Sequence, residues 1–543
     1  MNHLLTIDQV RAAEQPLLDA QTREDELMQS AAVAVADHSA RLATSDRYLL
    51  LAGPGGNGGD ALYAGAIAAM RGARVEAWPI LGRDNLHARA AEAFANAGGR
   101  FVDQPEGAYG LVVDGMFGLG GRGELPEAAA NFLTPLYSDA TTPILAIDLP
   151  SGLSGDSGLA EGEHVQADVT VTFGGLRRVH GLSAACGQVV VEDIALDGGQ
   201  TLSEQVAAVA KAAAQQGRPL PRLLRAPVEW VEWQCAGAAH PADAPAAAWA
   251  TTAPLTAADL QELLRTLPGE PTPTDDKYSG GVVGIHAGSG DYPGAGVLSC
   301  AGAVRTTSSM VRYVGTNAAP ITHAFPEVVI HPDRFQAGRV QARVVGPGRG
   351  TDRAAREELA DLLDTVQPLV VDADALTLCA KHTNLLESLR QREAPTVLTP
   401  HAGEFSRLAE ALAHAGHTIP DLQEHRFEAV EAMAEALGAT VLLKGRFTVI
   451  AAAGGTVVVD YASSWAATAG SGDVLSGILG ALLARDATSA LDTASLAAVI
   501  HALAARMSAE TGWGAAPSHA TKIEEAVRPA IAMLTSFRSR DEW

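Results

Sequence analysis

Residues 48–70 place the tightest limit on the fold. Tyr48-Leu49-Leu50-Leu51-Ala52 is an unbroken apolar run of buried-strand type, Gly53-Pro54-Gly55-Gly56-Asn57-Gly58-Gly59-Asp60 is a glycine-rich turn, and Ala61 to Met70 continues as a helix. A strand buried on both faces and followed at once by a helix belongs in a parallel sheet, where neighbours are joined by crossovers. The pattern recurs with acids at the strand ends. Tyr109-Gly110-Leu111-Val112-Val113 runs into Asp114, and Pro143-Ile144-Leu145-Ala146-Ile147 runs into Asp148 ahead of Leu149-Pro150-Ser151-Gly152. In an open parallel sheet the carboxyl ends of the strands line one crevice, so Asn57, Asp60, Asp114, Asp148 and Ser151 are predicted to converge. Clustered oxygens of this kind call for a hard cation or ligand hydroxyls between them, whereas each acid taken singly reads as a cap or turn residue.

A second series begins at Lys277. Strands are predicted at residues 282–285, 310–314, 341–345, 369–371, 396–398 and 440–443. They run into Ala287-Gly288-Ser289-Gly290, Gly346-Pro347-Gly348-Arg349-Gly350, Asp372-Ala373-Asp374, Thr399-Pro400-His401-Ala402-Gly403-Glu404 and Lys444-Gly445. Alternation with helices makes this another layered α/β domain. Near its end, Ala469-Gly470-Ser471-Gly472-Asp473 precedes Val474, Leu475, Ile478, Leu479, Leu482 and Leu483 at helical spacing, so the small residues sit where free N–H groups at a helix start face an anion. An acid at the mouth of a phosphate seat makes sense as the base for a hydroxyl that attacks a phosphoryl group; the competing reading of Asp473 is a helix cap. His401 is a turn residue or a functional strand-end residue, and Lys444 closes its strand or offsets phosphate charge.

The 543 residues exceed one ordinary core, and a low-periodicity, Ala/Pro-rich stretch over 201–252 reads as the connection, with Trp230, Trp233 and Trp249 as packed filler. Residues 5–43 read as helix with a polar break at Thr22-Arg23-Glu24-Asp25, and Ala257 to Leu267 as the opening helix of the second domain. A formal net charge of −24 argues against non-specific nucleic-acid binding, so substrate phosphates must be held locally by backbone amides or a few cations. The longest apolar runs are Ala-rich and broken, which argues against a membrane span, and Met1-Asn2-His3-Leu4 opens no secretory signal. Cys186, Cys235, Cys300 and Cys379 are too far apart for a metal knuckle, so reduced thiols and a cytoplasmic setting are expected.

The glycine-rich turn, Val-Asp-Gly-Met-Phe-Gly-Leu-Gly from Val113, Ala-Ile-Asp-Leu-Pro-Ser-Gly-Leu from Ala146 and Ala167-Asp168-Val169-Thr170-Val171-Thr172-Phe173-Gly174 resemble, in order and spacing, the N-terminal NAD(P)HX epimerase domain of the bifunctional NAD(P)H-hydrate repair enzymes. The resemblance implies a Rossmann-like three-layer domain over residues 1–200. It implies a potassium ion on Asn57, Asp114 and Ser151. It implies hydrated nucleotide on Asn57, Gly58, Gly59 and Asp60, on Gly118, Leu119, Gly120, Gly121, Arg122, Gly123 and Glu124, and on Asp148. One departure is Gly56, where the family usually has a second asparagine. Inversion at the carbon beside the ring nitrogen requires that C–O bond to break and reform on the other face. A carboxyl such as Asp148 can protonate the departing oxygen and later accept its proton.

The second series resembles the C-terminal domain of the same enzymes, a ribokinase-like three-layer α/β dehydratase, over residues 253–543. The resemblance implies hydrated nucleotide on Ala295, Gly350, His401 and Asp473. ADP or ATP with magnesium is implied on Lys444, Gly445, Arg446, Phe447 and Thr448 and on Gly470, Ser471 and Gly472. Asp473 would deprotonate the hydroxyl, and the amides of 470–472 would hold the phosphoryl oxygens. Departures from the family's pattern are Ser463-Ser464-Trp465-Ala466-Ala467, Ala469, Thr306-Thr307-Ser308-Ser309 and Ser518-His519. The expected partners are NADHX, NADPHX and ADP or ATP, in a homo-oligomer with neither nucleic acid nor membrane. Two alternatives stand beside this one: a ribokinase-like kinase of the vitamin-precursor type, and a non-catalytic nucleotide-binding or scaffold role for the N-terminal half.

Overall fold

A computed structural model describes residues 2–120, 123–138, 141–225, 263–264, 267–332, 338–461 and 463–538. They form two compact units, the first ending at Leu220.

The first unit has strands β1 (Leu4–Leu5), β2 (Arg47–Ala52), β3 (Arg74–Pro79), β4 (Arg100–Phe101), β5 (Leu111–Gly115), β6 (Ile144–Ile147), β7 (Val169–Phe173), β8 (Leu176–Arg177) and β9 (Gln188–Glu192). Seven of them make a parallel sheet in the order β4-β3-β2-β5-β6-β7-β9, while β1 pairs with β8. The strand order reverses between β2 and β5, which opens a crevice at their carboxyl ends. Register makes those ends level: Ala52 stands opposite Gly115 and Asp114 opposite Ala146. The polar break at Thr22 to Asp25 separates the helices Ile7–Ala20 and Glu26–Leu42, and the Glu26 carboxylate accepts hydrogen bonds from the Thr22 and Arg23 amides to hold the corner.

The second unit has β10 (Arg222–Arg225), β11 (Val283–His286), β12 (Val311–Val314), β13 (Val329–His331), β14 (Ala342–Val345), β15 (Leu369–Val371), β16 (Thr396–Leu398), β17 (Thr440–Leu443), β18 (Thr448–Ala452) and β19 (Gly455–Asp460). They form one sheet ordered β10-β19-β18-β17-β16-β15-β14-β11-β12-β13, parallel except where β18 runs against both of its neighbours. The reversal here lies between β11 and β14. The helices Pro293–Thr306 and Ser471–Arg485 pack backbone on backbone: a Cβ at Gly302 would lie 2.2 Å from the Val474 carbonyl oxygen, and one at Gly477 would lie 2.1 Å from that of Ser299. That contact anchors the helix whose first turn carries Asp473. The Ala490–Ala509 helix is long and apolar enough to cross a bilayer, but its apolar surface is spent in this core beside Ala520–Arg538.

Much of the stretch read as a connection is built into the two units. The helix Leu202–Gln215 is capped by Thr201 and Glu204 and buries Leu202, Val206 and Ala210 in the first core, while β10 pairs with β19 at the edge of the second sheet. Residues 226–252, with the three tryptophans, lie outside the described residues. Of the predicted opening helix, Leu263, Leu264 and Leu267 are described, and all three are buried in the second core.

Two candidate active sites

The N-terminal crevice holds a cavity of about 500 Å³. Its walls include Asn57 and Asp60 from the helix Gly56–Met70, Gly118, Leu119 and Gly120 after β5, Asp148 after β6, Arg177 of β8, and Arg11 and Glu14 of the first helix. Gly58 and Gly59 face inward instead: a Cβ on Gly58 would lie 1.9 Å from the Gly53 oxygen, and one on Gly59 would lie 2.5 Å from the Met28 sulfur. Gly123 and Glu124 lie outside this lining, with Glu124 exposed, and Gly121 and Arg122 lie outside the described residues.

Asn57, Asp114 and Ser151 meet beneath the cavity. The Asn57 amide nitrogen donates to the carbonyl oxygens of Phe117 at 3.0 Å and Ile147 at 2.8 Å, and its side-chain oxygen is turned toward Gly118, where a Cβ would lie 2.5 Å away. The wholly buried Asp114 carboxylate accepts from the Ser151 amide at 2.8 Å, the Ser151 hydroxyl at 2.7 Å and the Met116 amide at 3.2 Å. Burial pushes its pKa up to about 6 despite these donors. A buried carboxylate surrounded by neutral donors and carbonyl oxygens is an oxygen set that a cation completes.

Asp148 and Asp60 share the cavity on different terms. Asp148 has a left-handed backbone, φ +65°, and Thr172 donates to its Oδ1 at 2.8 Å. The buried Arg177 brings Nε to 2.8 Å from the same oxygen, while its Nη1 donates to the carbonyl oxygens of Phe173 and Gly175. Asp60 carries no such partner, and burial, with Asp148 and Glu14 nearby, raises its pKa well above the usual carboxyl range. Arg177 has no local signal in the sequence; its partner Asp148 lies far away along the chain.

In the second unit a cavity of about 430 Å³ is lined by His401, Lys444, Gly445, Arg446, Thr448, Ser471 and Gly472, together with Tyr461, Ser463, Ser464 and His501. Phe447 does not line it; its ring is buried at 6% exposure. Gly470 is the left-handed N-cap, φ +83°, of the helix that begins with Ser471, so Ser471, Gly472 and Asp473 occupy the first turn, where N–H groups have no partner within the helix. Arg446 is committed to Asp460, which also pairs with Arg225.

Lys444 lies between this seat and a row of acids. Its Nζ donates to Asp372 Oδ1 at 2.8 Å, stands 3.9 Å from Glu404 Oε2, and would be 3.3 Å from a Cβ on Gly472. Burial opposes its charge, but Asp372 and Glu404 outweigh that and raise its pKa. Asp473 is also raised, which for a carboxyl disfavours the charge: burial first, then the Asp372 charge, push it up to about 7. His401 is a cap and a cavity wall at once. Its Nδ1 accepts from the amides of Gly403 and Glu404, and the Glu404 carboxylate accepts in return from the His401 backbone amide. Ala295 and Gly350 do not line this cavity; they lie by the loop after β14, where the Gly350 amide donates to Asp374 Oδ2 at 2.8 Å and Gly348 abuts Ala295. Asp372 joins the site although the sequence marks it only as an acid ending a strand, the signal that Asp114 also carries. His501 has no such signal: its Nε2 lies 2.9 Å from the Ser471 carbonyl oxygen, and burial lowers its pKa to about 4, keeping it neutral behind the seat.

Residues 24–179 match the family described as YjeF-related protein N-terminus, and residues 283–527 the family described as NAD(P)H-hydrate dehydratase. The chain is similar to a bifunctional NAD(P)H-hydrate repair enzyme of Corynebacterium glutamicum, at 42% identity over 98% of this chain and 99% of that one. One from Mycobacterium tuberculosis is 42% identical over 98% and 100%. Among solved structures, an ADP/ATP-dependent NAD(P)H-hydrate dehydratase of Bacillus subtilis aligns at 24% identity and a TM-score of 0.43, covering 52% of this chain and 98% of that chain.

Proposed function

The chain belongs to the bifunctional NAD(P)H-hydrate repair enzymes, and from that membership we propose how its two units divide the work. The first interconverts the R and S epimers of hydrated NADH and NADPH, and the second dehydrates the S form with ADP or ATP.

In the dehydratase unit, Asp473 takes the proton of the hydrate's hydroxyl as that oxygen attacks the terminal phosphoryl group of the nucleotide. The amides at the start of the Ser471–Arg485 helix and the Lys444 ammonium hold the phosphoryl oxygens. Phosphate then leaves with a ring proton, restoring the dihydropyridine. The observation that carries this assignment is a carboxyl poised at about pH 7 in the first turn of an anion-binding helix, with Lys444 beside it. Magnesium would arrive on the nucleotide phosphates, which supply oxygen ligands of the kind it takes.

In the epimerase unit, the Asn57 side-chain oxygen, the Asp114 carboxylate and the Ser151 hydroxyl are the donors that would hold potassium. A cation there would tie together the turns after β2, β5 and β6 and offset the substrate's phosphates. Asp148, oriented by Thr172 and Arg177, handles the proton of the hydroxyl at the inverting carbon.

Supplying hydrate with ATP, magnesium and potassium separates this function from that of a small-molecule kinase. Recovery of reduced-nicotinamide absorbance with one phosphate released per turnover is the expected result. Accumulation of a phosphorylated hydrate without that recovery would overturn it.

A further inference from the structure

Asp60 and Asp148 both line the N-terminal cavity. Asp60 follows β2, Asp148 follows β6, and β5 runs between those strands. Asp60 is carried by the helix Gly56–Met70 that follows β2, and Asp148 by the turn directly after β6, so two different segments present carboxyls to one cavity. Asp60 lies one helical turn beyond Asn57, so the two share a face of the Gly56–Met70 helix and both line the cavity, while Gly58 and Gly59 between them turn inward. The two carboxyls differ in their company. Asp148 has the Thr172 hydroxyl and the locked Arg177 guanidinium; Asp60 has no hydrogen-bond donor or ion-pair partner among the described residues, and its charged neighbours Asp148 and Glu14 are acids. Glu14 itself is 3.8 Å from Arg177, so the guanidinium faces two acids, and the charged groups that act on Asp60 are acids alone. Burial and this like charge favour a proton on Asp60. A carboxyl that favours its proton, sharing a cavity with a second carboxyl that faces a hydroxyl and a guanidinium, is an arrangement in which an acid can work beside a base.

We propose that Asp60 is a second catalytic residue of the epimerase, the proton donor on one face of the hydrated ring, with the Asp148 carboxylate serving the opposite face. This rests on the epimerase function assigned above. Asp60 passes its proton to the hydroxyl oxygen, the C–O bond breaks, and water departs as the ring-nitrogen lone pair forms a C=N bond. The resulting cation sits among the carboxylates of the cavity. Water then adds from the other face, the C=N pair returns to nitrogen, and the surplus proton of the added water goes to Asp148. The net change on the enzyme is one proton moved from Asp60 to Asp148, which solvent or a turnover in the reverse direction restores.

The test uses the full chain, each purified epimer and ¹⁸O-water, with no adenine nucleotide present. Wild type is expected to invert both epimers and incorporate ¹⁸O. In D148N, inversion falls at least about 100-fold, yet one epimer still exchanges its hydroxyl with ¹⁸O-water without inverting, because Asp60 gives its proton and takes it back. Adding D60N erases that exchange, while adding D60E in its place keeps part of it, which separates a lost proton from a lost fold. Loss of exchange for both epimers in D148N would overturn the proposal. So would exchange that survives D60N, exchange lost with Glu as fully as with Asn, or a D60N single variant that inverts within about threefold of wild type. A wild-type protein that inverts neither epimer would instead overturn the epimerase function itself.

Discussion

The Lys444 ammonium stands 2.8 Å from the Asp372 carboxylate, pairing the cation that closes β17 with the acid that ends β15, beneath the anion seat of the second unit. Asp372 is fully engaged, since Ser476 donates to its other oxygen at 2.7 Å. Removing one member of a buried pair strands the other, so Asp372→Asn is expected to destabilise the second unit by about 3 kcal/mol in urea. It also removes a like charge from beside Asp473. The pH midpoint of dehydration should therefore move downward in that variant, a shift that a purely structural role would not produce.

Asp473 governs the pH response of dehydration. With its pKa raised to about 7 by burial and then by Asp372, the base is protonated below neutrality, so kcat should climb through pH 7 and level off above it. Asp473→Asn should lose at least about 100-fold at every pH. Stability runs the other way. Between about pH 4 and pH 7 the folded protein holds a proton that the unfolded chain has released, so this carboxyl makes the fold less stable as pH rises. The variant should accordingly be more stable than wild type at pH 8, by about 2 kcal/mol after allowance for partial exposure.

Asp114 makes the corresponding case for a cation in the first unit. Burial lifts its pKa to about 6, so above that pH the fold carries an uncompensated buried charge that a bound potassium ion would neutralise. Thermal unfolding at pH 8 should shift upward in potassium chloride relative to tetramethylammonium chloride at equal ionic strength. The difference should shrink below pH 6 and vanish in Asp114→Asn.

The seat itself depends on Gly302 and Gly477, where its helix meets Pro293–Thr306. A methyl group on Gly477 would meet the Ser299 carbonyl oxygen at 2.1 Å, a backbone atom that cannot swing aside. Gly477→Ala should cost about 3 kcal/mol, by forcing the Pro293–Thr306 and Ser471–Arg485 helices apart, and should depress dehydration with epimer exchange retained. Calorimetry together with the two separate activity assays checks this.

The fold is legible where chemistry repeats along the chain. Apolar runs ending in glycine or acid mark β2, β5, β6 and β15, and short apolar runs before Thr399-Pro400 and Lys444-Gly445 mark β16 and β17, because a strand buried on both faces leaves no room for polar alternation. The antiparallel β18 and β19 carry the same mark, an alanine-rich apolar run before Gly454 and Val457-Val458-Val459 before Asp460. Yet they follow Lys444-Gly445 so closely that no helix separates them from β17, which breaks the alternation by which the other strands are recognised. Asn57, Asp60, Asp114, Asp148 and Ser151 can be grouped from strand-end position, whereas the choice of Asn57, Asp114 and Ser151 among them comes from the family resemblance. Arg177 and His501 can be found in neither way, because each acts through a partner far along the chain, Asp148 and Ser471, that only tertiary packing supplies. His401 reads from the sequence only as a turn or strand-end residue; its capping box with Glu404, and Lys444 beside that carboxylate, come from the fold.

The central claim is that one chain repairs both epimers. Its most direct test follows reduced-nicotinamide absorbance when an R and S hydrate mixture meets the full-length protein with ATP, magnesium and potassium. Wild type should recover the whole mixture, Asp148→Asn should halt at the initial S fraction, and Asp473→Asn should recover none while still equilibrating the epimers. A wild-type reaction that stops at the S fraction, or an Asp473→Asn protein that recovers hydrate at the normal rate, would contradict it.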